Sequence, residues 1–332
     1  LALASLPAPA QLPTLGDGNE LTLAAERRIG ERIAREIYRD PDYLDDAVLG
    51  DYVQSLWQPL LAAARERGDM AAHQDQGFAW EVLLDRERSI NAFALPGGWM
   101  GLNLGLVAGT ANRDELASVL AHELSHVTQR HIARMIGRQS SQGPWVLAGL
   151  ILGALAASSN PQAASALMVG SQAAVVQGQL NFSRDMEREA DRVGYGVMTQ
   201  AGFEPRGFVT MFQKLQQANR FNDTGAFPYL RSHPLTGERI ADARNRLGID
   251  AAAAPTQTVG SGGPAAPWLH AAMQGRARAL MDLREATQQQ LASLELPGAR
   301  EPASLAVAST VALAATRLKQ WARADAAIAR AR

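Results

Sequence analysis

Apolar residues recur at three- and four-residue steps along residues 116–135, at Leu116, Val119, Leu120, Val127, Ile132 and Met135. That is the spacing of one buried stripe on an α-helix. Asn112 followed by Glu115 reads as a capping box, so the pattern predicts a helix that begins there and runs to about Gly137. Similar stripes predict helices over Leu21–Tyr38 and Leu49–Arg65, separated by Asp40-Pro41-Asp42. Their apolar positions (Ile29, Ile33, Ile37; Leu56, Leu60, Leu61) are expected to pack onto the 112–137 helix. Glu204–Phe221 carries a further face of Phe208, Met211, Phe212 and Leu215, and a turn-rich loop, Asn222–Arg231, follows it. Phe78–Leu84, Ile90–Leu95 and Trp99–Leu104 are short apolar or alternating runs bounded by turn residues. They predict a small sheet, with Pro96-Gly97-Gly98 turning the chain between the last two strands.

Trp145–Ala157 is apolar throughout, but as a helix it would span only about 20 Å of a bilayer core roughly 30 Å thick. With the Ala-rich run Ala163–Val176 it is expected to form a helical pair shielding a site, peripheral membrane contact being the weaker alternative. Ala251–Pro267 has the composition of a linker. Beyond it, residues 268–332 read as Ala-rich helices. Trp321, Ala324, Ile328 and Ala331 echo the aromatic and small-residue spacing of a tetratricopeptide pair, expected here in truncated form. At the other end, Ala2-Leu3-Ala4 reads as the remnant of a signal-cleavage region, and residues 1–20 as a proline-containing leader.

A chain of 332 residues has room for two domains: a mostly helical α+β unit over 21–250 and an all-α segment over 268–332. A formal net charge of −1 offers no electrostatic case for nucleic acid. The absence of cysteine excludes disulfides, thiolate ligands and a thiol nucleophile.

The chemistry centres on His122-Glu123-Leu124-Ser125-His126. Histidines four apart lie one turn above the other on a helix and can reach one Zn2+, and the intervening Glu123 can reach a water beside it. Such a motif arises by chance in ordinary helices. Here, however, the flanks are apolar, and burying these three side chains without a partner would be expensive. A catalytic zinc needs a third protein ligand. Glu187 and Asp191 share a face of a helix-like segment, Asn181–Gly196. Glu187 is the candidate ligand, and Asp191 the candidate partner for the far nitrogen of His122. Spacing alone leaves this level with a solvated charged helix. Glu189 competes with Glu187 by residue type but points to another side from Asp191. His131 is expected to cap or pack, and His73 and His270 carry no motif.

AHELSHVTQRH with the downstream Glu187-x-x-x-Asp191 resembles family forty-eight of the metallopeptidases, which includes HtpX and the CAAX prenyl proteases. Asn91–Gly98 and Ser232-His233-Pro234-Leu235 with Arg239 extend the likeness over roughly three quarters of the chain. The resemblance implies a zincin fold and a zinc endopeptidase with His122, His126 and Glu187 as ligands and Glu123 as general base. It also implies an edge strand, Asn91, Ala92 and Phe93, that holds extended substrate beside the cleft. His233 is expected to occupy the fourth zinc position as a reversible, self-inhibiting plug. Arg239 is expected either to stabilise the oxyanion or to pair with a carboxylate. Within the family, the likeness points to a periplasmic protease that degrades misfolded or stalled outer-membrane proteins and assists their assembly. The helical repeat segment would meet the assembly machinery. The alternative is a chaperone or scaffold with a dormant site. A membrane-embedded prenyl protease is disfavoured for want of spanning segments.

Overall fold

The computed structural model describes residues 21–138, 183–220, 229–253, 265–298 and 300–331. The expected leader, both apolar runs of 145–176 and most of the linker lie outside the described residues. In chain order the elements are α1 (Leu23–Ile37), α2 (Ala47–Glu66), α3 (Ala72–Gly77), β1 (Glu81–Asp85), β2 (Ala92–Ala94) and β3 (Trp99–Asn103). There follow α4 (Leu104–Gly109), α5 (Arg113–Thr128), α6 (His131–Arg138), α7 (Arg184–Gln200), α8 (Arg206–Arg220), α9 (Tyr229–Ser232) and α10 (Gly237–Ala253). A C-terminal set comprises α11 (Ala266–Leu280), α12 (Glu285–Ala292), α13 (Pro302–Arg317) and α14 (Trp321–Ala331). The described residues are thus mostly helical with one small sheet.

Helix α5 is the hub. Every side chain from Glu115 to Thr128 is buried, the mark of a helix enclosed on all sides. Asn112 Oδ1 caps it by accepting from the backbone N–H groups of Asp114 (3.0 Å) and Glu115 (2.9 Å). Glu115 reaches back one residue further than a standard capping box, to the Ala111 N–H (2.6 Å), and pairs with Lys214. Leu116, Leu120 and Leu124 of α5 share one core with Leu56, Leu60 and Leu61 of α2, Val193 and Val197 of α7, and Phe208 and Met211 of α8. Each such side chain removed from water contributes about 1.5–3 kcal/mol. Helices α5 and α7 come unusually close at Gly194, where an added Cβ would stand 3.0 Å from Ala121 O and 3.1 Å from His122 Cα.

Three expectations need correction. The helix predicted to run from Asn112 to Gly137 breaks at Gln129–Arg130, where Arg130 takes the left-handed φ of 53° and α6 sets off anew. Arg130 is anchored there by Glu26 (3.1 Å) and the Leu21 carbonyl. Secondly, Ile29 and Ile33 of α1 do not pack on α5. They cover Leu83, Leu95 and Trp99 around the Pro96–Gly98 turn, with Ile132 and Met186 beside them. That turn is a short 3₁₀ segment with positive φ at Gly97 (75°) and Gly98 (90°), conformations open to glycine. The loop expected over 222–231 ends instead in the single turn of α9.

The sheet has the order β1-β3-β2, with β1 parallel and β2 antiparallel to β3. β2 is therefore an edge strand, and it lies against α5. The C-terminal helices dock on the other side of the hub. The Thr110 carbonyl can only accept, so the neutral His270 ring donates to it from Nε2 (3.1 Å) and accepts from Tyr52 Oη at Nδ1 (2.6 Å). Gln274 donates to the same carbonyl (2.5 Å), Arg276 pairs with the α2 cap Asp46 (2.7 Å), and Arg88 pairs with Asp282 (2.5 Å). No described helix is long and apolar enough to cross a membrane.

Candidate metal centre and catalytic base

His122 and His126 sit one turn apart on α5 and turn their Nε2 atoms toward each other at 3.0 Å. Helix α7, capped by Ser183, brings Glu187 across from them: Oε1 lies 3.4 Å from His126 Nε2, and Oε2 3.5 Å from His122 Nε2. His233, just past α9, completes the group. Its Nδ1 is 3.0 Å from Glu187 Oε1 and 3.4 Å from His122 Nε2. One donor atom from each of the four lies within 4.8 Å of the rest, and all four residues are buried.

These spacings fit a divalent cation. Zinc bonds of 2.0–2.2 Å in a tetrahedron imply donor–donor edges of roughly 3.4 Å, and the edges given above run from 3.0 to 3.5 Å. Charge agrees with distance. Three buried carboxylates (Glu123, Glu187, Asp191) face one buried guanidinium (Arg239), so neutral imidazoles leave two negative charges for a dication to balance. Burial alone would lower the His122 pKa, but Asp191 and Glu187 outweigh it and raise it to about 9. Glu187 is held well below the usual carboxylate range: burial opposes ionisation, and the three histidines around it prevail.

Asp191 lies one turn beyond Glu187 and stands 3.0 Å behind His122 Nδ1. Arg239 on α10 closes the back of the site. It donates to both oxygens of Asp191 (2.6 and 2.7 Å) and to the Pro234 carbonyl (2.8 Å), and Nη1 lies 2.7 Å from Glu187 Oε2. The guanidinium is thereby taken up by the carboxylates and lies on their far side.

Glu123 points toward the edge strand. Its Oε2 accepts from the Ala94 N–H (3.0 Å), and its buried Oε1 has no hydrogen-bond donor among the described residues and lies 3.4 Å from His233 Nε2. Burial pushes its carboxyl pKa up, against the pull of His233 and His122. A carboxylate of raised basicity beside such a cluster is suited to take a proton from water. Ala92 and Phe93 lie on β2 with Asn91 immediately before it, and the Phe93 ring covers Gly101 on β3.

Three features escaped the sequence reading. Tyr229 stacks on the His233 ring at 4.6 Å and 24°. His131 reaches His126 Nδ1 with its own Nδ1 at 2.8 Å. Glu189 accepts from His131 Nε2 (3.0 Å) and from Arg134 (2.9 Å). The side of α7 away from Asp191, to which Glu189 had been assigned, is the side that meets His131.

Residues 55–247 match Peptidase family M48. The chain is 35% identical over 240 residues to a putative beta-barrel assembly-enhancing protease of Vibrio cholerae, covering 72% of this chain and 48% of that protein. It is 34% identical over 237 residues to the beta-barrel assembly-enhancing protease of Escherichia coli K12, covering 71% and 47%. Mitochondrial metalloendopeptidase OMA1 of Arabidopsis thaliana is 30% identical over 196 residues, covering 59% and 36%. The chain spans about half the length of the bacterial relatives it matches.

Proposed function

Because the chain belongs to peptidase family M48 and is a metalloprotease, we propose that it is a zinc endopeptidase of the periplasm acting on unfolded or stalled outer-membrane proteins. The observation that carries this reading is the convergence of His122, His126, Glu187 and His233, with Glu123 poised beside them. The donors that converge are three imidazoles and a carboxylate, a set that suits zinc. When bound, the ion lowers the pKa of a water and polarises the scissile carbonyl. Glu123 takes the proton of the attacking water and hands it to the leaving amine. Asp191 holds the His122 ring and its tautomer, and Arg239 fixes Asp191 and Glu187 in place.

An extended substrate adds to the free edge of β2, along Asn91, Ala92 and Phe93. The Ala94 N–H, now bonded to Glu123, lies at the point where that added strand passes the base. His233 closes the site at rest: its Nδ1 sits among the ligand atoms and its Nε2 faces Glu123. Withdrawal of α9 and the residues after it opens the fourth position to water. The assembly-enhancing names of the bacterial relatives support outer-membrane clients, and the helices α11–α14 would be the surface that meets the assembly machinery.

The test is cleavage of an unfolded model protein by the parent, His233→Ala and Glu123→Gln. A faster His233→Ala with a silent Glu123→Gln is expected. A slower His233→Ala makes His233 a working group and ends the plug reading. Silence from all three, with zinc bound, moves the protein to the scaffold alternative.

A further inference from the structure

We propose that His131 and Glu189 form, with Arg134, a positioning relay that fixes the tautomer of His126 and so sets the affinity of the metal centre. This rests on the metal reading above. The geometry is a chain of three contacts. His126 Nδ1 lies 2.8 Å from His131 Nδ1, His131 Nε2 lies 3.0 Å from Glu189 Oε2, and Arg134 Nη1 lies 2.9 Å from the same oxygen. The two rings meet edge to face at 4.9 Å and 73°, and both are fully buried.

The direction of the hydrogen bonds follows from the ends of the chain. Glu189, beside Arg134, is an acceptor, so His131 Nε2 carries the hydrogen that it donates. A neutral His131 then has a lone pair at Nδ1 and accepts from His126 Nδ1–H. That assignment leaves the His126 Nε2 lone pair facing Glu187, His122 and His233, where a cation needs it. The reverse assignment would put a hydrogen at His126 Nε2 and block the ligand atom. His122 is oriented by a carboxylate directly. His126 is oriented by a carboxylate through a second imidazole.

The break between α5 and α6 exists for this contact. On a continuous helix, residues five apart point about 140° away from each other, so His131 could not reach His126. The left-handed Arg130, held by Glu26 and the Leu21 carbonyl, turns the chain and swings His131 beneath the ligand.

The test measures zinc affinity by competition with a chromophoric chelator in parent, His131→Phe, His131→Gln and Glu189→Gln, alongside long-range 1H–15N correlation of the histidine rings in the zinc-loaded parent. His131→Phe is expected to weaken zinc 10- to 100-fold, the range for lost partners of ligating histidines. His131→Gln, which can still accept at one atom and donate at another, is expected to recover most of that loss. The spectra are expected to show a protonated Nδ1 on His126 and a protonated Nε2 on His131. Equal affinity in parent and His131→Phe overturns the relay alone, and a protonated Nε2 on His126 overturns the relay together with His126 as a ligand. A parent that binds no divalent ion overturns the relay together with the metal reading. The ring spectra of the parent decide the matter even if the variants fail to fold.

Discussion

Replacing Arg239 with methionine keeps the aliphatic stem and removes the charge, so it isolates the cation at the back of the site. Arg239 is 3% exposed, and its three nitrogens serve two oxygens of Asp191, one of Glu187 and the Pro234 carbonyl. Removing it leaves two buried carboxylates facing each other. Breaking a buried ion pair from one side costs about 3–5 kcal/mol, because the remaining charge stays buried without compensation. A folded unit of this size loses about 2–4 °C of Tm per kcal/mol, so Tm should fall by about 10 °C. The measurement is thermal unfolding in EDTA and in saturating zinc. The deficit should be smaller with zinc, since a cation beside Glu187 supplies part of the missing countercharge. Arg188→Met is the control: its pairs with Asp185 and Glu238 lie at the surface, and its Tm should hardly move. The double variant Arg239→Met/Asp191→Asn should lose less than the sum of the singles. A loss under about 1 kcal/mol, the worth of an exposed pair, would refute the claim that the guanidinium holds the carboxylates together.

Other predictions concern the helix contacts and the metal. Gly194→Val should wedge α7 away from α5 at His122, weakening zinc binding at a stability cost of about 1–3 kcal/mol; unchanged affinity would show that the close approach does not set the ligand spacing. Burial lowers the His270 pKa to about 4, against 6.5 unfolded, so its neutral form stabilises the native state above pH 6.5. That stability drains as pH falls from 6.5 toward 4, by roughly 3 kcal/mol. Urea midpoints across that window should therefore fall more steeply for the parent than for His270→Phe. Chelation should abolish cleavage and lower Tm, and zinc at about a thousand times its Kd should restore about 4 kcal/mol.

The parts of the site that repeat with helical period were readable from sequence. His122, Glu123 and His126 follow one turn of α5, and Glu187 with Asp191 follows one turn of α7. Strand positions were also close, since the turn at Pro96–Gly98 marks itself with glycines. What escaped was set by tertiary contact. Arg130 adopts a left-handed φ that no glycine or asparagine announces, because Glu26 and Leu21, more than a hundred residues earlier, hold it there. With the break unseen, the sequence assigns His131 only to capping or packing. Strand order was likewise hidden: β1 pairs in parallel with β3 and not with β2, its neighbour in sequence.

Linker-like composition after α10 suggests two units that melt independently. The Thr110 carbonyl argues otherwise. It lies just ahead of the Asn112 cap of α5, and both of its hydrogen bonds to side chains come from α11. Asp46, the cap of α2, likewise pairs with Arg276 on that helix. The C-terminal helices therefore fasten the starting points of α2 and α5, two core helices around the site. Calorimetry should record one endotherm for both parts, with the van't Hoff and calorimetric enthalpies in agreement. Proteolytic release of residues 265–331 would then lower the melting temperature of the metal-binding part rather than free a module of unchanged stability. A force or a partner that pulls α11 away would be felt first at the head of the helix that carries Glu123.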